Sequence, residues 1–304
     1  MTGPVLLTGS NGFLGAWIIA RLVAAGHDVV ATDIDRDFSR LKALLPDPPM
    51  DRMAWRSCDV TDGGAVEAIV SETGPSAIIH LAALQIPQCR GNPVLGAKVN
   101  IIGHLNIMEA ARIQGVRRVI YTSSIAAKPR GEANAPANLY GVYKKTDEEI
   151  ARLYWEDHGV PSLGLRPHIV YGVGRDQGET SAITTAIRAA ASGEAYEMPF
   201  RTESCFQYAG DVAEMFVRAA ASDWEGALLS DLTSRVETTS DILSAITSVV
   251  PDARITLADD SRLSPVAGFE TEPLQRIIGP LPDTSLEKGV AETVEIFRRN
   301  ALAG

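Results

Sequence analysis

Pro4 to Gly15 reads Pro-Val-Leu-Leu-Thr-Gly-Ser-Asn-Gly-Phe-Leu-Gly, and this stretch constrains the fold more than any other. Val5, Leu6 and Leu7 form an apolar run of strand length. Glycines follow at 9, 12 and 15, and Phe13, Leu14, Trp17, Ile18, Leu22 and Val23 then recur at helical spacing. The pattern is strand, glycine turn, helix. Gly9 lets the chain leave the strand in a tight turn, Gly12 has no side chain to hold a phosphate off the backbone, and Gly15 lets the helix pack closely on the sheet. The helix start presents unpaired N–H groups and a positive dipole end to a pyrophosphate. Gly9, Asn11, Gly12, Phe13, Leu14 and Gly15 are therefore candidate dinucleotide-binding residues. The spacing is Gly-x-x-Gly-x-x-Gly, not the usual Gly-x-Gly-x-x-Gly, so the flanking strand and helix carry the assignment.

Asp28 to Asp33 reads as the second strand. Asp33 lies at its carboxyl end, 18 residues beyond Gly15. A carboxylate there can accept both hydroxyls of an adenosine ribose and repels a 2′-phosphate, which favours NAD over NADP. Arg36, close by, is able to accommodate that phosphate instead. Further strands are expected at Met53–Ser57, Ala77–Leu81, Arg118–Thr122 and Val160–Pro167, alternating with helices at Asp62–Glu72, Val94–Gln114 and Asn138–His158. The apolar run of Ala77–Leu81 predicts a strand covered on both faces. This alternation predicts an α/β fold with a doubly wound parallel Rossmann sheet. Beyond Pro167 the rhythm changes. A loop (Tyr171–Gly178), a helix (Thr180–Ser192), a short strand (Phe206–Ala209), a helix (Asp211–Ser222), a strand returning to the sheet (Ala227–Asp231), a helix (Thr239–Val250), a strand (Arg254–Leu257) and a closing helix (Ser285–Arg298) follow, with no linker between them.

The chain of 304 residues is long enough for one large α/β unit or two modest domains. Its net charge of −10 argues against nucleic acid as a partner, since phosphate binding needs a basic face. Cys58, Cys89 and Cys205 are odd in number and widely spaced, with neither a CxxC pair nor a zinc cluster. Reduced thiols in a cytoplasm account for them. No apolar run reaches membrane-spanning length, and the early start of the first strand leaves no room for a signal peptide.

The chemistry centres on Tyr140-Gly141-Val142-Tyr143-Lys144. Tyr140 and Lys144 are i and i+4 on a predicted helix and share a face. A phenol is a poor base at neutral pH, and an ammonium one turn away favours the phenolate. Tyr140 can then exchange a proton with a substrate alcohol while hydride moves to or from a nicotinamide, and Lys144 can bond the nicotinamide ribose. Leu84 to Asn92 follows a strand's carboxyl end, where α/β sheets bind ligands, and reads as a substrate-facing loop carrying Gln85 and Arg90. Arg90, Arg175 and Arg201 are candidate carboxylate partners. His80 reads as a packed strand histidine.

The glycine loop, Asp33, Ser124, the Tyr140/Lys144 pair and Arg166-Pro167-His168-Ile169-Val170-Tyr171-Gly172 together resemble the extended short-chain dehydrogenase/reductase family, the NAD-dependent epimerase/dehydratase group, over nearly the whole chain. The resemblance implies a Rossmann domain at residues 1–170, with 206–231 returning to it, and a smaller, interleaved C-terminal substrate domain from 171–205 and 232–304. It places Asp59 and Val60 beside the adenine, Leu81, Ala82 and Ala83 beneath the nicotinamide ribose, and Thr122, Pro167 and Ile169 along the nicotinamide side. It gives Asn100 a role in ordering the site. Ser124 matches the catalytic Ser/Thr, with Ser123 as second choice, and His168 faces the substrate. The two long helices resemble those that form a homodimer interface. Departures also matter. Ile125-Ala126 stands where dehydratases carry an acidic pair, Tyr143 replaces the serine before the lysine, and Cys205–Ala209 stands where an Arg-rich stretch is common. These departures point to a free sugar, sugar acid or hydroxy acid and away from 4,6-dehydration of a sugar nucleotide. The expected activity is NAD-dependent oxidation of a secondary alcohol of a small polar substrate. The alternatives are an epimerase and, in another class, a non-catalytic NAD-sensing protein, against which the intact Ser/Tyr/Lys set argues.

Overall fold

The computed structural model describes residues 3–130, 132–260 and 268–303. In chain order the first part contains β1 (Val5–Thr8), α1 (Phe13–Ala24), β2 (Val29–Asp33), α2 (Ser39–Leu44), β3 (Met53–Ser57), α3 (Gly63–Thr73), β4 (Ala77–His80), α4 (Ile86–Gly91) and α5 (Pro93–Ala97). It continues with α6 (Gly103–Gln114), β5 (Val119–Thr122), α7 (Leu139–His158) and β6 (Ser162–Arg166). The second part contains β7 (Ile169–Tyr171), α8 (Ala182–Ser192), β8 (Ala195–Met198), β9 (Glu203–Ser204), β10 (Phe206–Tyr208), α9 (Ala209–Ala221), β11 (Ala227–Asp231), β12 (Glu237–Thr238), α10 (Thr239–Val249), β13 (Arg254–Leu257), α11 (Glu272–Ile278) and α12 (Leu286–Ala303).

Seven strands form one sheet in the order β11-β6-β5-β4-β1-β2-β3, and every pairing in it is parallel. This is the expected doubly wound α/β sheet. Strand side chains alternate between two cores, as the pleat requires. Val5, Leu7, Val29, Ala31, Ala77 and Ile79 enter one with α1, α8, α9 and α12. Leu6, Val30, Ile78, Val119 and Tyr121 enter the other with residues of α3, α6 and α7. β11 extends the sheet beyond β6, matching residue for residue from Ala227↔Ser162 to Asp231↔Arg166. By contrast, β10 does not join this sheet. It pairs with β7 in a two-stranded parallel ribbon, β12 pairs with β9, and β13 with β8.

Several element boundaries differ from expectation. The helix expected over Val94–Gln114 comprises α5, a π-helical stretch at Lys98–Ile102, and α6. Single π-turns inside α-helices recur at functional sites, and this one holds buried Asn100. The expected loop at Leu84–Asn92 contains α4, opened by Pro87 in its first turn. The distal pieces β7, β8 and α11 are too short to stand out in the sequence. α7 begins where expected because the Asn138 side chain accepts from the Gly141 N–H (2.9 Å), and it ends at Gly159 in a left-handed conformation.

Candidate functional site

The strands end along one edge of the sheet, and a cleft of about 1370 Å³ opens there. It spans the β1/β4 neighbourhood, where the strand order reverses. Single-ligand pockets commonly occupy ~300–1,000 Å³, so this cleft has room for more than one small ligand.

One half of the cleft is lined by Gly9, Asn11, Gly12, Phe13, Leu14, Gly15, Asp33, Asp59, Val60, Leu81, Ala82 and Ala83, all expected from the sequence. Gly9 turns the chain at φ 72. Gly12 caps α1 with no side-chain hydrogen bond, so the first-turn N–H groups of the helix lack a side-chain partner. The Asp33 carboxylate accepts from the Asn11 N–H (3.0 Å) and the Ile34 N–H (2.9 Å), one bond to each oxygen. Each oxygen keeps a lone pair for a diol. Arg36 does not line this cleft. Its guanidinium lies over the Phe38 ring at 5.5 Å. The uncapped helix start, the absent side chain at Gly12 and the carboxylate at the end of β2 form a donor and acceptor set that fits a dinucleotide.

The other half brings Thr122, Ser123, Ser124, Tyr140, Pro167, His168, Ile169, Gln85 and Arg175 to the same cleft. Ser124 Oγ accepts from the Ala126 N–H (3.1 Å), which leaves its O–H to donate elsewhere. Arg175 donates to Gln85 Oε1 (3.2 Å) and Thr180 Oγ1 (2.9 Å) and lies 6.0 Å from the Phe13 ring centroid. Burial lowers its pKa. Among the described residues no carboxylate is paired with it, because Asp176 pairs with Arg40 instead (2.9 Å). His168 packs on Phe269 with ring centroids 5.2 Å apart. Burial lowers its pKa against the opposing pull of Asp231, whose Oδ1 lies 3.8 Å from Nε2.

The positions of several other expected residues are as follows. Ser123 donates its hydroxyl to Glu148 Oε1 (2.6 Å), and Glu148 also holds Arg166 through two bonds (2.7 and 2.8 Å). Ser123 is thus engaged in a buried brace between α7 and the sheet. Arg90 is exposed on α4 and outside the cleft lining. Arg201 donates to the carbonyls of Ala258 and Leu257. Asn100 lies behind the cleft, accepting from the Leu84 N–H (2.9 Å) and donating to the Leu84 carbonyl (3.1 Å). It fixes the chain that carries Gln85. Lys144 also stands behind the cleft lining. Its ammonium is buried and pairs with Asp147 Oδ2 (3.2 Å). His80 is the packed strand histidine expected, buried with Nδ1 2.8 Å from Thr8 Oγ1, and burial pushes its pKa well down.

Arg130, Arg40 and Phe269 also line the cleft and were not singled out from the sequence. Arg130 lies in the polar loop after Ser124, with Nη2 donating to the Ile125 carbonyl (3.3 Å) and Nε without a partner. Glu148, four residues after Lys144 on the same helix, carried a spacing signal. Phe269 carried none.

The model of the NAD dependent epimerase/dehydratase family matches residues 5–227. The chain belongs to this family. Members of the family use NAD, and the chain is accordingly an NAD-dependent enzyme of the extended short-chain dehydrogenase/reductase type. A UDP-glucose 4-epimerase of Mycolicibacterium smegmatis is 28% identical over 97% of this chain and 99% of its own length. Among solved structures, a UDP-glucose 4-epimerase with UDP-glucose from Thermotoga maritima superposes with a TM-score of 0.80 at 23% identity, covering 98% of this chain and 99% of that one. An L-threonine dehydrogenase from Clostridium difficile superposes at 0.83 with 19% identity, covering 98% of each chain. The same fold thus carries different reactions. Among the described residues no helix is long and apolar enough to cross a membrane, and no cluster of His, Cys, Asp or Glu is arranged to hold a metal ion.

Proposed function

We propose that this enzyme moves hydride between NAD and a secondary alcohol of a small polyhydroxy substrate bearing an anionic group. The observation that carries this reading is the presence of Tyr140 and Ser124 on the cleft that also contains the glycine loop and Asp33. Gly12, the first turn of α1 and Asp33 would hold the cofactor, which when bound accepts the hydride leaving the carbinol carbon. Tyr140 takes the hydroxyl proton as the carbonyl forms, and Ser124 donates a hydrogen bond to the same oxygen and orients it. Arg175 supports the choice of an anionic substrate. Its guanidinium is half-buried with Nε lacking a partner, and a ligand carboxylate or phosphate beside Gln85 and Thr180 would engage it. Residues 171–205 and 232–304 would form the substrate side, since Arg175, Thr180, Thr202 and Phe269 all line the cleft.

A second reading, epimerisation by oxidation and re-reduction without net loss of NAD, is favoured by the full-length likeness to a UDP-glucose 4-epimerase. Both readings use the same residues. The test uses a panel of hexuronates, aldonates and the matching neutral sugars with NAD. Tyr140→Phe abolishes turnover while keeping NAD affinity. Arg175→Gln raises KM for the acids by ~10–100-fold, the worth of one charge-assisted bond, and leaves neutral sugars unchanged. Full turnover by Tyr140→Phe removes this tyrosine from the reaction.

A homodimer through α5, α6 and α7 is also proposed. Val94, Leu95, Ile102 and Ile113 on one helical run and Val142 and Leu153 on its neighbour are exposed apolar side chains, a concentration that monomer surfaces seldom carry. Light scattering on the purified chain tests it, and a monomer mass at micromolar concentration would contradict it.

A further inference from the structure

Tyr140, Lys144 and Asp147 stand at i, i+4 and i+7 on α7 and so share one face of the helix. Lys144 occupies the middle position, within reach of a neighbour on either side. Its ammonium bonds Asp147 Oδ2 at 3.2 Å, and the two side chains are only 2% and 1% exposed. The other carboxylate oxygen, Asp147 Oδ1, is buried without a partner, as is His104 Nε2 on the facing α6. We propose that Asp147 is a positioning residue that holds Lys144 toward itself and sets how strongly the lysine charge acts on Tyr140. The inference rests on the Tyr140–Lys144 reading given above and deepens it.

The surrounding groups leave Asp147 as the counter-charge of Lys144. On α7 itself, Glu148 is committed to Arg166 from β6 and to Ser123, with the half-exposed Lys145 3.5 Å from its second oxygen. His104 of α6 and His80 of β4 are both pushed well down by burial, with the Lys144 charge acting in the same direction, so near neutral pH they are uncharged. Tyr121 of β5 is held protonated by burial, reinforced by Glu148 and Asp147. The Cys89 thiol on α4 is likewise raised by burial. Burial also raises the Asp147 carboxyl to about 7, with Lys144 opposing. Asp147 therefore gains or loses its charge in the range where such an enzyme works. When Asp147 is ionised, Lys144 is drawn and offset. When it is neutral, the full ammonium charge remains for Tyr140 and the ribose.

At 1.5 Å of rise per residue, Asp147 lies ~10 Å along the helix from Tyr140. A unit charge at ~10 Å, with an effective dielectric of ~20, displaces a titration by about one pH unit. The experiment is an ultraviolet titration of the phenolate band in the whole protein without added ligand, each variant being differenced against its Tyr140→Phe counterpart to isolate Tyr140. In Asp147→Asn the Tyr140 phenolate appears about one pH unit lower than in the native protein, and Asp147→Glu restores the native position. Asp147→Ser is the second variant if the asparagine form does not fold, and the same displacement is expected. An unmoved band in Asp147→Asn or Asp147→Ser, with Lys144→Met moving the band upward, overturns the role of Asp147 and leaves the Tyr140–Lys144 pair intact. A band unmoved in Lys144→Met as well overturns both.

Discussion

Gly12 caps α1 and Gly15 lies in its first turn, yet the proposed cofactor site gives them separable tasks, and alanine at each position distinguishes the two. At Gly15 a Cβ would fall inside contact distance of the Gly9 carbonyl oxygen and within 2.8 Å of that of Ser10. Both are backbone atoms that cannot rotate away, so the turn itself must move. Overpacking of this kind costs about 1–3 kcal/mol, which lowers the melting temperature by roughly 2–4 °C for each kcal/mol. At Gly12, with φ −68 and ψ 166, alanine is sterically allowed, and its Cβ meets only the Gly9 carbonyl oxygen at 3.0 Å. Stability should fall by under ~1 kcal/mol, chiefly because alanine is a poor N-cap. The new methyl group nevertheless stands on the surface where a pyrophosphate must approach the backbone. Losing one or two charge-assisted bonds weakens NAD by about 1.5–3 kcal/mol, or ~10–100-fold. Calorimetric titration with NAD and thermal unfolding of both variants provide the assay. Gly12→Ala loses NAD affinity with little change in melting temperature, while Gly15→Ala loses both. Native NAD affinity in Gly12→Ala would refute the assignment of this loop to the cofactor.

Two further outcomes follow from buried charge. Glu148→Gln leaves Arg166 without its carboxylate, and a broken buried pair costs about 3–5 kcal/mol; urea unfolding should show that loss, and a loss under ~1 kcal/mol would show that the brace is not structural. His104 is lowered to about 3 by burial, against an unfolded value near 6.5. Between those values the unfolded chain binds more protons than the folded one, so this contribution is complete above pH 6.5 and declines as pH falls, by roughly 1.4 kcal/mol per pH unit. His104→Gln should flatten the acid side of the stability profile, and an unchanged slope would exclude His104 as a source of it.

The cofactor half of the cleft was legible because its requirements are local. Strand, glycines and helix are contiguous, and Asp33 falls at the end of the next strand. Tyr140 was legible for the same reason, since a helix presents i and i+4 together. What the sequence could not convey was direction. Ser123 and Ser124 are adjacent, and only the packing of Glu148 beside β5 and β6 decides which hydroxyl is occupied. Lys144 shares a face with Asp147 as well as with Tyr140, so spacing alone could not predict where its ammonium points. Asn100 was visible as a helix residue, but its bonds to Leu84 depend on a π-turn that periodicity does not announce. Arg90 and Arg175 looked equivalent as arginines in polar loops. Burial beside Phe13 and Thr180 separates them, and that burial is set by tertiary contact. The distal strands β7, β8 and β9 are two to four residues long, too short for alternation to register.

Product analysis with NAD tests the hydride-transfer claim most directly: NADH absorbance and substrate stereochemistry are followed together over the panel of aldonates, uronates and neutral sugars. The structure leads us to expect stoichiometric NADH with one acidic substrate, lost in Tyr140→Phe. Isomer exchange without NADH would contradict the dehydrogenase and establish the epimerase, and the absence of both reactions across acids, sugars and sugar nucleotides would contradict hydride transfer at this site.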